Sequence, residues 1–372
     1  MRGHRRLLLP LPVGERAGVR GRGRLGPKLG RPTPLTPTLS PPGGGGAFEA
    51  APSLVTSLTI TFVVAATFLF AAKARAGNLI RVGNAGAVAF SFVPTNVGKD
   101  TGIFAKHNLN IEITGFGGDA KLQQAMAADA VDVGLGSGPG MAFIVKGAPV
   151  KAIADIAGPP LIFALAVRAD GSVKTIDDLK GRKVGISTVG SATSWLMNEV
   201  SRQQGWGFDG FEQVAIGDNA ARLAALKAGA IDGCVVDVGS AHNFVERGDG
   251  RILMRFGDVA KDFIMHVVFA TDTAIAKKPT DLTNFIAGWF ETVAYMRQHK
   301  AETVTIAQKV IGADEKTTSR VYDELMPMFT DNGHFNAKAL TVLQRSFVEM
   351  KILPTEPDMS KLYTEAFLPK AD

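Results

Sequence analysis

The sequence predicts an α/β protein of two similar lobes, each a mainly parallel sheet flanked by helices. Three observations carry that expectation. From Leu79 to Ile156, apolar runs of strand length alternate with amphipathic segments of helix length, the order expected of parallel strands joined by crossover helices. Gly158-Pro159-Pro160 breaks the series before another begins at Phe163, because proline lacks an amide hydrogen and restricts the residue before it. Residues 119–132 and 219–232 also align at an offset of 100 positions, with identities Ala120/Ala220, Ala125/Ala225, Ala128/Ala228, Ala130/Ala230 and Asp132/Asp232. An alanine-rich helix can match by chance. The shared exit Ala-[Val/Ile]-Asp into a strand makes a repeated helix-strand unit the better account.

Taken in order, Leu79–Val82 reads as a strand, and Phe92, Val97 and Phe104 lie on a helical pattern between Phe90 and His107. Asn110–Phe116 alternates as a strand, Gly117-Gly118-Asp119 opens a helix through Ala128, and Val131–Leu135 is the next strand. A helix over Met141–Lys146 leads to the strand Val150–Ile156. Beyond the break come a strand at Phe163–Val167, helix Ala192–Gln204, strand Phe211–Ile216, helix Asn219–Ala228, strand Cys234–Asp237 and helix Ser240–Arg247. Phe263–Thr271 is a last apolar strand. Helices are then expected at Asp281–His299, Ala301–Ile311, Lys316–Met328, Ala337–Met350 and Ser360–Ala366. Phe285, Trp289, Phe290, Val293 and Met296 recur at helical spacing, which reads as core packing.

The basic net charge of +6 belongs to the front of the chain. The first 76 residues hold eleven of the 41 basic and two of the 35 acidic residues, so about −3 remains from Gly77 onward. Nucleic acid is therefore not expected as a partner. Residues 1–53, rich in Arg, Pro and Gly without an apolar face, read as a disordered leader or as a start assigned too far upstream. Leu54–Ala72 is apolar, and Ala74-x-Ala76 is a small-residue cleavage signal. Residues 54–76 thus read as a signal peptide cut after Ala76, implying a periplasmic protein; an uncleaved membrane anchor is the competing reading.

Ile176–Thr193 reads as a turn at Gly181, a buried strand Lys183–Ser187 and a glycine-containing entry to a helix. A helix N-terminus at a strand end offers unpaired amides and the positive end of the dipole to an anion. Gly185 and Gly190 have the spacing of a phosphate loop, but Ser191 and Ala192 follow where Lys and Ser/Thr belong, which excludes a nucleoside triphosphate. Gly134–Gly140 fails as a dinucleotide loop because Pro139 stands at a required glycine, and fails as a nucleophile elbow because of Leu135. The six histidines lack metal-ligand spacing, and the lone Cys234 lies in an apolar run. No catalytic set, metal or cofactor is expected. Asp132, Asp218 and Asp232 read as helix or turn caps; Asp237, at a strand end, is a candidate ligand contact.

Four stretches resemble a known family: Gly102-Ile103-Phe104 with Asn108-Leu109, Gly117-Gly118-Asp119, Ile176 through Gly185, and Leu226-Lys227-Ala228-Gly229-Ala230-Ile231-Asp232. The sequence resembles the periplasmic substrate-binding proteins of ABC importers for nitrate, sulfonates and taurine, a superfamily that includes thiamine-pyrimidine-synthesis-like proteins. The resemblance implies a two-lobed periplasmic-binding-protein fold of type II, closing on a small, anionic organic solute for an ABC permease, and a monomer that is not an enzyme. The alternative is a pyrimidine-precursor-binding protein or a pyrimidine-synthesis-like enzyme; the cysteine cluster of that enzyme is missing. Residues 77–158 and 275–372 would form the first lobe, and 159–274 the second. By position, Gly117, Gly118, Ser137 and Gly138 would contact the solute from the first lobe, and Ser187, Thr188, Gly190, Ser191 and Thr193 from the second. Capping alone is the competing role for these hydroxyls. Phe92 would stack on an aromatic solute or serve the core.

Overall fold

The computed structural model describes residues 77–86, 88–189 and 191–370, all within one of the chain's two compact units, Phe70–Asp372. The leader, the apolar segment and the cleavage signal lie outside the described residues. The strands are β1 (Asn78–Asn84), β2 (Leu109–Gly115), β3 (Val133–Ser137), β4 (Val150–Ala157), β5 (Phe163–Arg168), β6 (Lys183–Ile186), β7 (Glu212–Ala215), β8 (Gly233–Asp237), β9 (Gly250–Arg255) and β10 (His266–Thr271). They form two sheets of like topology, β2-β1-β3-β10-β4 and β7-β6-β8-β5-β9.

In each sheet four strands run one way and the fifth runs against them. The reversed strands are β5 and β10, the two that the chain enters from the opposite lobe. Residues 158–162 carry the chain from the end of β4 to β5, and residues 256–265 carry it from the end of β9 to β10. A strand that starts where its neighbours finish has to run antiparallel to them. The expected return to the first lobe after residue 274 is therefore corrected: β10 pairs with β3 and β4, and the second lobe ends before His266. An uninterrupted apolar strand carries no mark of the sheet it joins, so continuity had placed it with the second series.

The helices of the first lobe are α1 (Val93–Asp100), α2 (Ile103–Lys106), α3 (Asp119–Ala127) and α4 (Ala142–Val145). Those of the second are α5 (Ala192–Gln203), α6 (Asn219–Lys227) and α7 (Val238–Glu246), and the C-terminal part holds α8 (Asp272–Lys277), α9 (Pro279–Gln298), α10 (Lys300–Ile311), α11 (Glu315–Leu325) and α12 (Ala337–Glu349). Pro279 starts α9 in the first turn, where its missing amide hydrogen costs nothing. Gly312 ends α10 at φ 66°, the left-handed cap that glycine adopts freely. The stripe on α9 packs as expected: Phe285, Trp289, Val293 and Met296 are buried, and Phe285 stacks on Phe104 with centroids 5.3 Å apart. Ser360–Ala366 is not a helix. Only Met359–Lys361 makes a 3-10 turn, and the chain then extends along the edge of β4, where Ala152 donates to Leu362 O at 3.1 Å and accepts from Thr364 N at 2.9 Å.

The repeat continues into the hydrogen bonds. Asp132 N donates to Arg81 O at 2.9 Å and its Oδ2 accepts from Arg81 N at 2.9 Å; Asp232 N donates to Lys183 O at 2.8 Å and its Oδ2 accepts from Lys183 N at 3.2 Å. These aspartates thus clamp β1 and β6 to the chain entering β3 and β8, rather than serving as the expected helix or turn caps. Asp218 does cap, accepting from Ala221 N at 2.8 Å. Burial works against the charge of Asp132, yet hydrogen bonds from Arg81 and Lys278 outweigh it and hold its pKa below the usual range.

Asp155, near the end of β4, is 3% exposed, and its Oδ1 accepts only from Ala157 N at 3.2 Å. Burial pushes its carboxyl up to about 8. Because the folded pKa exceeds the unfolded one, this group's contribution to stability is complete below the ordinary carboxyl range of about 4 and is lost as pH rises through about 8. Urea unfolding of the wild type against Asp155→Asn should therefore show a stability difference that moves in the variant's favour between pH 5 and 8.5. A pH-independent difference would contradict the assignment.

Candidate functional site

Both sheets bring the C-terminal ends of their parallel strands to the edge where the chain crosses, and open α/β sheets bind ligands at such ends. In the second lobe, β6 stops at Ile186 and the chain turns into α5, with Ser191 as N-cap in extended conformation and its Oγ accepting from Ser194 N at 3.3 Å. Ser187 N donates to Thr193 Oγ1 at 3.0 Å, folding the turn back on the helix. This brings three hydroxyls into a triangle: Ser187 to Ser191 is 2.9 Å, Ser187 to Thr193 is 3.0 Å and Ser191 to Thr193 is 2.8 Å. Three hydroxyl hydrogens can be shared round the ring, so an entering oxygen has to break one contact and take its hydrogen. Thr188 lies exposed beside the triangle and accepts from Ser191 N through its carbonyl, 3.2 Å. Gly190 lies outside the described residues.

In the first lobe, Ser137 ends β3 and binds Asp119 twice, N to Oδ1 at 2.8 Å and Oγ to Oδ2 at 2.7 Å. Its Oγ also accepts from Gly140 N at 3.2 Å. Burial pushes the Asp119 carboxyl up, and the two bonds from Ser137 oppose the shift. The repeat reverses the roles at the matching positions. Asn219 of α6 donates through Nδ2 to Asp237 at the end of β8. Asp237 also accepts from Ser240 N at 2.9 Å and Ser240 Oγ at 2.6 Å. Both of its oxygens are thus engaged in holding α7 and α6, and its candidacy as a ligand contact gives way to capping.

Four other candidates are committed to the fold. Gly138 N donates to Met265 O at 3.0 Å, and a Cβ there would lie 2.1 Å from Ile264 O, so the residue is glycine because the second crossing presses against it. Gly118 sits at φ 119° and donates to Ala85 O at 2.8 Å, and Gly117 bridges Gly86; together they tie the exit of β1 to the start of α3. Phe92 is 3% exposed and packs edge-on against His266 with centroids 4.9 Å apart, a core role. The structure therefore assembles Ser187, Ser191 and Thr193, with Thr188 beside them, and separately joins Ser137 to Asp119. It offers no free amide at Gly138 or Gly118.

Sequence reasoning missed His266, Asn84 and the contacts between the second lobe and the C-terminal helices. A lone histidine in an apolar strand gives no spacing signal. Glu324 of α11 meets His242 of α7 at 2.7 Å and Arg255 at 2.9 Å, and Arg320 meets Glu246 at 3.2 Å. Burial lowers the His242 pKa; Glu324 opposes this, while Arg255 and Arg320 add to it. On the other side Trp195 stacks on Phe263 at 4.5 Å and donates through Nε1 to Glu349 of α12 at 2.9 Å.

Two α/β lobes with mixed sheets, crossed twice by the chain at the edge where their parallel strands end, define the periplasmic-binding-protein fold. The chain belongs to the NMT1/THI5-like family, whose model matches residues 89–303. The resemblance read from the four sequence stretches holds. Among solved structures, the chain is similar to the periplasmic aliphatic sulphonate-binding protein SsuA from Escherichia coli, at 19% identity and TM-score 0.67, over 77% of this chain and 92% of that one. It is similar to the alkanesulfonate-binding protein SsuA from Xanthomonas axonopodis pv. citri bound to MOPS, at 17% identity and TM-score 0.64, over 77% and 98%. The desulfurization enzyme DSZB shares the fold at 11% identity and TM-score 0.59, over 77% and 97%. No curated protein sequence matches the chain.

Removing the cap hydroxyl tests the local geometry. Ser191→Ala should lower stability by about 1 kcal/mol, read from the urea midpoint, because the variant loses the bond from Ser194 N and two sides of the triangle. Thr188→Ala, which removes a hydroxyl outside the triangle, should stay within about 0.5 kcal/mol of the wild type.

Proposed function

We propose that this protein is an extracytoplasmic solute-binding protein that captures a small anionic organic solute, of the sulfonate, nitrate or carboxylate class, between its lobes and delivers it to an ABC permease. The observation that carries the reading is the hydroxyl triangle Ser187, Ser191 and Thr193 at the N-terminus of α5. At the positive end of a helix of 12 residues, a hydroxyl that turns its hydrogen from the ring to an entering oxygen suits an oxoanion. The sulfonates bound by the two similar SsuA proteins belong to the same chemical class. In this reading the chain is exported, cut after Ala76 and works as a monomer. Among the described residues, no helix is long and apolar enough to cross a membrane.

The fold shared with a desulfurization enzyme raises a catalytic reading. The sole cysteine weighs against thiolate chemistry: Cys234 is fully buried in β8, and burial pushes its thiol up to about 12. At pH 7 it is a packed thiol with no access to a substrate.

A thermal-shift screen of the purified protein with alkanesulfonates, nitrate, bicarbonate, carboxylates and pyrimidines tests the reading. A ligand at about 100 times its Kd should add roughly 2.7 kcal/mol and raise Tm by several degrees. Thr193→Ala should weaken the hit about tenfold or more, since it removes one donor to a charged acceptor. A pyrimidine as the only hit would favour the alternative ligand class, and turnover of any hit would overturn the binding-protein reading.

A further inference from the structure

At the crossing edge of the first sheet, two buried side-chain atoms have no hydrogen-bond partner among the described residues. His266 is 6% exposed, and its Nδ1 is buried with no hydrogen bond among the described residues. It is the first residue of β10, directly opposite Ser137 on β3 and Ala157 on β4, the last residues of those strands. Opposed residues of an antiparallel pair point to the same face, so the imidazole and Ser137 share a side of the sheet. Asn84, the last residue of β1, is registered with Leu135 and by alternation lies on that face too. It is 4% exposed, and its Oδ1 is likewise buried and unpartnered.

Phe92 closes one side of the imidazole. Burial holds the ring neutral, its pKa pushed down to about 3, so it carries one N–H donor and one acceptor nitrogen. A buried polar group left unpaired lowers stability, and most buried groups in native proteins find a partner. A phenylalanine would fill this apolar place without that cost. A partner for this nitrogen has to enter from outside the chain, as a water or a solute, at the edge where both crossings and the end of β3 meet.

We propose that His266 is a solute-contacting and specificity-determining residue, whose imidazole N–H donates to an oxygen of the captured anion. The proposal rests on the solute-binding reading and extends it to a position on the first lobe. His266→Phe keeps a ring against Phe92 and removes both nitrogens. His266→Gln keeps a donor and an acceptor.

The test is calorimetric titration of wild type and both variants with 1-butanesulfonate, nitrate and acetate, alongside thermal melts. The expected result is wild-type binding of at least one probe, at least tenfold weaker binding by His266→Phe with Tm unchanged or raised, and partial recovery in His266→Gln. Should the phenylalanine variant not fold, the glutamine variant carries the comparison, with affinity changed threefold or more. Wild-type binding that the variants leave within twofold overturns this inference alone and assigns the orphan nitrogen to a buried water. Failure of the wild type to bind any probe overturns the solute reading and this inference together.

Discussion

The architecture depends on one constraint of direction. β1, β3 and β4 of the first sheet and β6, β8 and β9 of the second finish at the edge of their sheet that faces the crossings, and the chain can change lobes only from there. Each passage therefore delivers the chain to the finishing edge, and the strand it begins has to run backwards between its neighbours. β5 and β10 occupy the same slot in their sheets, one place in from the last strand. This puts the beginnings of both reversed strands, the ends of β3 and β8, and the N-termini of the following helices into one zone. Residues that are remote in sequence, such as Ser137 and His266, become neighbours because of it.

Much of the fold was legible in the sequence because its determinants are local. Alternating apolar runs marked the strands, glycines and prolines marked the breaks, and the match at 100 residues marked the duplicated unit. β10 was assigned to the wrong lobe because pairing partners are a long-range property that an apolar run does not encode. The helix expected at Ser360–Ala366 failed for a related reason: edge pairing with Ala152 of β4 overrode a weak helical pattern. The candidate site divided along the same line. Ser187, Ser191 and Thr193 lie within seven residues and form their triangle through a local turn, so composition and spacing found them. Gly138 and Phe92 were judged by position alone, and contacts from the distant crossing at Ile264 and from His266 decide what they do.

The C-terminal helices are more than a cover for the first sheet. α11 reaches α7 and the end of β9 through Glu324 and Arg320 against His242 and Arg255, and α12 reaches α5 through Glu349, Arg345, Glu199 and Trp195. Each contact mixes a charge pair with a buried or half-buried neighbour, where the Coulomb gain is screened less than at the surface and the desolvation cost is larger. They tie the second lobe to the C-terminal helices on two sides.

The reversed pair at the two strand ends bears on how the halves came to differ. Asp119 with Ser137 and Asn219 with Asp237 place one carboxylate in each pair, but on opposite members. If both halves descend from one ancestor, at least one pair exchanged its acid for its partner. Ser137→Asp alone would set two carboxylates against each other beneath the first turn of α3, and Asp119→Asn first would leave the site without a charge to anchor the backbone of Ser137. Each step between the two states thus exchanges a charged contact for a neutral or a like-charged one, so the two positions are energetically coupled. A change at one of them is therefore best tolerated when its partner changes with it, and each half keeps its own version of the same contact.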